Sequence, residues 1–158
     1  MNCGRRDFLK TLGVATVCTC TGLASLNSCS MILGVSDTSE IPKEAVAVSG
    51  NQILIDFEKS LFLHSRGRAG KLTLESAETA KIILAHYQPG QYKAFSDRCT
   101  HGGRELNYLH DEQQLKCSSF GQSTFKVSDG KVVKGPAEEP LTLFPVKKFG
   151  NILKIDIS

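Results

Sequence analysis

Tryptophan is absent from the 158 residues, and aromatic side chains make up only 7% of them. Any core must therefore be closed mainly by aliphatic residues. Helix-period patterns are scarce outside the first thirty residues. An excess of one charge is also missing. The net charge is +3, and Arg5, Arg6 and Lys10 against Asp7 carry most of it, so the chain beyond residue 28 is nearly neutral. No basic face points to nucleic acid, and no charge block reads as an interaction tail. Cysteine is scarce in the body of the chain. Of the six, Cys3, Cys18, Cys20 and Cys29 fall in the first thirty residues, and only Cys99 and Cys117 remain. That excludes a disulfide-dense scaffold. No catalytic triad, phosphate loop or paired general acid and base is recognisable, which argues against an independent enzyme. What is present is a chain of ordinary apolar content, 41%, long enough for one compact domain plus its ends.

The N-terminus reads as an address. Arg5-Arg6-Asp7-Phe8-Leu9-Lys10 precedes an apolar run from Thr11 to Leu26. The run suits a signal segment and is short for a membrane helix of ~20 residues. The paired arginines resemble a bacterial twin-arginine export signal, with a retained apolar anchor as the alternative. Leu26-Asn27-Ser28-Cys29 resembles a lipoprotein cleavage box. Cleavage there would leave a lipidated Cys29 on a membrane surface; ordinary cleavage nearby would leave a soluble or weakly held domain. The expected organisation is an export signal over 1–28, a lipidated Cys and tether over 29–44, and a folded domain over 45–158.

The body reads as all-β. Short apolar runs alternate with turn signals at close spacing. Lys71-Leu72-Thr73-Leu74-Glu75 alternates with period 2. Strands are expected over 52–57, 80–86 and 92–95, and the last two flank Gln88-Pro89-Gly90-Gln91, a turn that closes a hairpin. Further strands are expected over 115–117, 124–127, 131–133, 141–146 and 152–157. Asp129-Gly130 marks a tight turn between two of them.

The hairpin delivers Asp97-Arg98-Cys99-Thr100-His101-Gly102-Gly103. After thirteen further residues comes Cys117-Ser118-Ser119-Phe120-Gly121-Gln122-Ser123-Thr124-Phe125, so that fifteen residues separate His101 from Cys117. Cys-x-His followed by a distant Cys is a metal-ligand spacing. With Gly130-Lys131-Val132 and Lys134-Gly135-Pro136-Ala137-Glu138-Glu139-Pro140-Leu141 in register behind it, the stretch from Lys81 to Ile157 resembles the Rieske [2Fe–2S] proteins. The resemblance implies an antiparallel β-sandwich with two ligand-bearing loops at one tip.

It also implies a [2Fe–2S] cluster, with Cys99 and Cys117 on one iron and His101 on the other. The family's second loop places a His where this chain has Phe120, and one extra residue separates Phe120 from Phe125. The family holds one iron by two Cys and the other by two His. Three outcomes stay open: a cluster with a fourth ligand from water or from an oxygen of Ser118, Ser119, Gln122 or Ser123; a clusterless fold in which Cys99 and Cys117 form a disulfide; or another metal, or a ligand from His110 or His86. The family's loop-to-loop disulfide has Arg104 and Ser119 at its positions. Gln122 or Ser123 is expected to donate a hydrogen bond to the cluster. His110 reads as a solvated hairpin-tip residue, and His64 and His86, both in strand-like runs, as packed or surface residues.

The function so implied is an exported, membrane-associated, periplasmic or extracytoplasmic one-electron carrier, exchanging electrons with redox protein partners. The alternatives are a clusterless binding or structural module and the Rieske subunit of a larger membrane oxidoreductase.

Overall fold

The computed structural model describes residues 38–74 and 80–158. The twin-arginine stretch, the apolar run after it and Cys29 lie outside the described residues. Among the described residues there are thirteen strands: β1 (Thr38–Glu40), β2 (Val46–Ser49), β3 (Gln52–Asp56), β4 (Ala69–Leu74), β5 (Ala80–Gln88), β6 (Gln91–Ser96), β7 (Leu106–Leu109), β8 (Gln114–Cys117), β9 (Thr124–Lys126), β10 (Val132–Lys134), β11 (Leu143–Phe144), β12 (Val146–Phe149) and β13 (Ile152–Asp156). Among the same residues no helix is long and apolar enough to cross a membrane.

The strands form three sheets, in the orders β1-β4-β5-β6-β11, β12-β13-β3-β2 and β10-β9-β8-β7. The first sheet serves two cores. Leu72, Leu74, Ile82, Leu84 and Ala94 pack with Ile53, Ile55, Leu153 and Ile155 of the second sheet. Ala69, Ile83, Ala85 and Phe95 pack with Leu106, Tyr108, Leu115 and Phe125 of the third. This explains why β5 lacks clean polar–apolar alternation: Ile82-Ile83-Leu84-Ala85 is buried on both faces. Burying one such Ile or Leu contributes about 1.5–3 kcal/mol.

The expected sandwich is thus an all-β fold with a third, smaller sheet that carries the site. Three details differ from the sequence reading. The tether expected through residue 44 ends earlier. β1 pairs in parallel with β4, through Thr38↔Ala69 and Glu40↔Lys71, and Ile41 is buried in the first core; Cβ-less Gly70 leaves room for its side chain. The pairing also makes the sandwich not wholly antiparallel. The strand expected over 141–146 is two. β11 pairs with β6 and β12 pairs with β13. Pro145, which has no N–H to give a ladder, stands at the switch, and its carbonyl accepts from Asp156 N–H at 3.0 Å. Finally, Leu61–His64 is a 3-10 turn and not a strand.

Candidate metal centre

The first loop springs from the β5–β6 hairpin. Asp97, 2% exposed, anchors it: Leu106 N–H donates to Asp97 Oδ1 at 2.6 Å, and Lys71 Nζ lies 3.4 Å from Asp97 Oδ2. Burial pushes the Asp97 carboxyl above its ordinary range, against the Leu106 N–H and the Lys71 charge, which act the other way. Within the loop, Cys99 N–H donates to Arg104 O at 2.8 Å, and Gly103 N–H to Cys99 O at 2.7 Å. This turn sets Cys99 inward, 2% exposed, and leaves His101 exposed.

The second loop runs from β8 to β9. Cys117 N–H donates to Ser123 O at 2.8 Å and Gln122 N–H to Ser119 O at 3.0 Å. Gln122, at the end of this Ser119–Gln122 turn, has φ +47°. Three contacts tie the loops and their cover together. Ser118 N–H donates to Glu105 O at 2.9 Å, joining the second loop to the first. Thr100 Oγ1 donates to Glu139 O at 2.8 Å, joining the first loop to the Pro-containing segment. Ala137 N–H donates to Ser123 Oγ at 3.2 Å. Gly135 is fixed there by space and by φ +106°: a Cβ would meet Ser123 Cα at 2.5 Å.

The loops bring Cys99 and Cys117 together as buried free thiols facing each other. Burial pushes the Cys99 thiol up, and the Cys117 thiol beside it adds to the effect; His101 N–H and the Ser123 hydroxyl oppose it. Ser119 N–H donates to Cys117 Sγ at 3.4 Å, and Ser119 Oγ lies 3.1 Å from the same sulfur. The Ser119 N–H and hydroxyl thus both lie against the Cys117 sulfur. A buried site of this kind favours thiolates once a metal displaces the protons. In the sequence Ser119 stands out only at a disulfide position and among four oxygen donors; its contact to Cys117 depends on the turn. Of Gln122 and Ser123, the buried Ser123 reaches a sulfur, and Gln122 is exposed.

Phe120 stands fully in solvent at the tip, at 105% relative exposure. The other imidazoles are engaged elsewhere. His86 Nδ1–H donates to Leu63 O at 3.0 Å, His64 Nε2 lies 3.2 Å from Phe57 O, and His110 Nδ1 lies 2.9 Å from Tyr108 Oη. His110 is thus a bonded, half-buried turn residue. Among the described residues no three His, Cys, Asp or Glu side chains converge on one metal position.

Two buried thiols on paired loops of an all-β domain, with His101 exposed two residues beyond Cys99, point to an iron–sulfur electron-transfer class. The family model for the Rieske [2Fe-2S] domain matches residues 62–148, and the chain belongs to that family. Two relatives are ferredoxin subunits of 3-phenylpropionate/cinnamic acid dioxygenase. Those of Escherichia coli (strain K12) and Shigella boydii serotype 4 (strain Sb227) are each 33% identical over 82 residues, covering 51% of this chain and 76% of the relative. Among solved structures, a complex of reduced oxygenase and oxidized ferredoxin in carbazole 1,9a-dioxygenase matches with TM-score 0.50 and 22% identity, over 58% of this chain and 82% of that one. That likeness is one of fold.

The family's group is a [2Fe–2S] cluster. The donors present fit its thiolate half: two adjacent buried sulfurs, one of them receiving the Ser119 N–H. They do not complete its imidazole half, where His101 stands without a second His. The cluster supplies reversible one-electron chemistry when bound.

Proposed function

We propose that this chain is an exported, membrane-associated one-electron carrier whose [2Fe–2S] cluster is held by three protein ligands. Cys99 and Cys117 hold the inner iron, and His101 binds the outer iron and faces the partner. The observation that carries this is the pairing of two buried thiols, with the Ser119 N–H and hydroxyl against the Cys117 sulfur. Such bonds stabilise negative charge on sulfur and favour the reduced state. Exposure of His101 supports a docking tip at which electrons enter or leave. The relatives are ferredoxin subunits, which supports a redox protein as partner. Arg5-Arg6 and Cys29 support export and lipid attachment, so that partner is sought outside the cytoplasm, alone or within a larger membrane oxidoreductase.

The test is direct. Purify the full chain, measure iron and acid-labile sulfide, and record the reduced EPR spectrum. Two irons per chain with a reducible signal support the carrier. A second reading, a clusterless binding module, is favoured by Phe120 at the ligand position and by the adjacency of the two thiols. Colourless protein with a Cys99–Cys117 disulfide would establish it instead.

A further inference from the structure

We infer that the end of the domain remote from the thiol loops is a contact surface for an anionic lipid bilayer, formed on the outer face of the second sheet by Phe149, Ile152, Lys147 and Lys154. It needs neither a bound cluster nor the N-terminal signal. Register puts the four side chains together. Phe149 pairs with Ile152, and Lys147 with Lys154. Directly paired residues share a face, and so do residues two apart on one strand. Leu153 and Ile155 of β13 point into the first core, which leaves these four outside. They form two rows, ~7 Å apart along the strands.

Neither row is what a solvated sheet face selects. Phe149 and Ile152 are 60% and 43% exposed. Lys147 stands directly opposite a second lysine, an arrangement that lowers stability. On β3, half-buried Leu54 continues the lysine row and Asp56 the apolar row. The neighbouring carboxylates are engaged. Asp56 Oδ1 accepts from Glu58 N–H at 2.9 Å, Glu58 Oε1 from Asn151 Nδ2 at 2.9 Å, and Asp156 Oδ1 from Ser158 N–H at 3.1 Å. Exposed Lys148 adds charge at the same end, its Nζ 4.9 Å from the Phe57 ring centre. Phe57 N–H donates to Asn151 O at 2.9 Å, which brings the segment leading to exposed Leu61 there too.

The order of the rows favours lipid over an acidic protein. The apolar pair stands at the hairpin turn, and the lysines stand one row behind it. A bilayer offers the same order: apolar side chains sink ~5–10 Å to the acyl boundary, and lysines meet the phosphates above. Strand β6 fixes the orientation. Leu143 and Phe144 of β11 pair with Phe95 and Ala94, and the chain runs on from there toward Tyr92, whose ring centre lies 5.9 Å from Lys148 Nζ. Cys99 follows the other end of β6. A bilayer at Phe149 therefore leaves the thiol loops facing away from it.

The experiment uses the full chain. The sequence lacks tryptophan, so Phe149→Trp carries a single fluorescent reporter. Vesicles of phosphatidylcholine with phosphatidylglycerol are compared with phosphatidylcholine alone. On the anionic vesicles the emission should move to shorter wavelength and be quenched by lipid brominated on its acyl chains. A Phe120→Trp reporter in the second loop should keep its emission. Adding Lys147→Gln and Lys154→Gln together should weaken the affinity read at the Phe149→Trp reporter roughly thirtyfold. Where Phe149→Trp fails to fold, Ile152→Trp reports on the same row. Unshifted row reporters overturn the inference; if the protein still sediments with the vesicles, N-terminal attachment stands without it. An equal response to phosphatidylcholine alone overturns it, as does a Phe120→Trp reporter that shifts as far. A row reporter that answers to polyglutamate and not to vesicles assigns the face to an acidic protein, and overturns it too.

Discussion

Asp97 and Leu106 are nine residues apart and joined by one 2.6 Å hydrogen bond, from the Leu106 N–H to Asp97 Oδ1. That bond closes the first ligand loop at its base. Asp97→Ala should orphan a buried N–H and lower stability by about 1–3 kcal/mol. Asp97→Asn keeps an acceptor at the same place and should recover most of the loss. Urea unfolding of the three proteins, followed by far-UV circular dichroism, checks the order.

Gly135→Ala should be more damaging than an ordinary loop change. It places a Cβ 2.5 Å from Ser123 Cα and forces φ +106° on a residue with a side chain. The backbone strain alone is of order 1–3 kcal/mol. Because Ser123 lies between Gly135 and Cys99, the variant should also lose iron faster at a temperature where both proteins stay folded. Unchanged iron retention would show that the covering segment does not hold Ser123 in place.

Ser119→Ala removes a hydroxyl 3.1 Å from Cys117 Sγ and leaves the Ser119 N–H. The reduction potential of the loaded protein should fall, since a donor to a thiolate favours the reduced state. Thermal stability should hardly change, because the residue is half-buried in a surface loop. Cyclic voltammetry on both proteins decides it. Cys117→Ser, by contrast, should abolish iron binding outright, as read by iron and sulfide content.

His86 makes stability depend on pH. It is 5% exposed, stacks on Tyr92 at 4.3 Å, and Gly90 N–H donates to its Nε2 at 3.3 Å. Burial, the largest influence, holds its pKa below the ordinary 6.5. As pH falls, the unfolded chain takes this proton first, so the contribution is fully present above about 6.5 and is lost as pH falls through 6.5 toward the lower folded value. The urea midpoint should therefore drop between about pH 8 and about pH 5. His86→Gln should show a smaller drop, and an equal one would clear His86 of the effect.

The site was legible in sequence where its chemistry is local. Cys99, His101 and Cys117 announce themselves by spacing, and Pro89-Gly90 marks the turn that aims the first loop. Long-range pairing was less legible. Leu141 to Val146 reads as one strand because both of its halves have strand character, and only the pairing partners reveal the change of sheet at Pro145. Thr38–Glu40 looked like tether because polar edge residues carry no period that distinguishes an edge strand from a linker. The Ser119 contacts to Cys117 are not legible in sequence, since they depend on the turn that Gln122 closes at φ +47°.

Strand β5 gives Ile82 and Leu84 to one core and Ile83 and Ala85 to the other. The two cores therefore share a wall, and neither can melt without exposing the back of the other. Heat or denaturant should dismantle the domain in a single transition, with loss of the metal-binding tip and collapse of the base reported at the same midpoint. The small tip thus inherits the persistence of the whole domain.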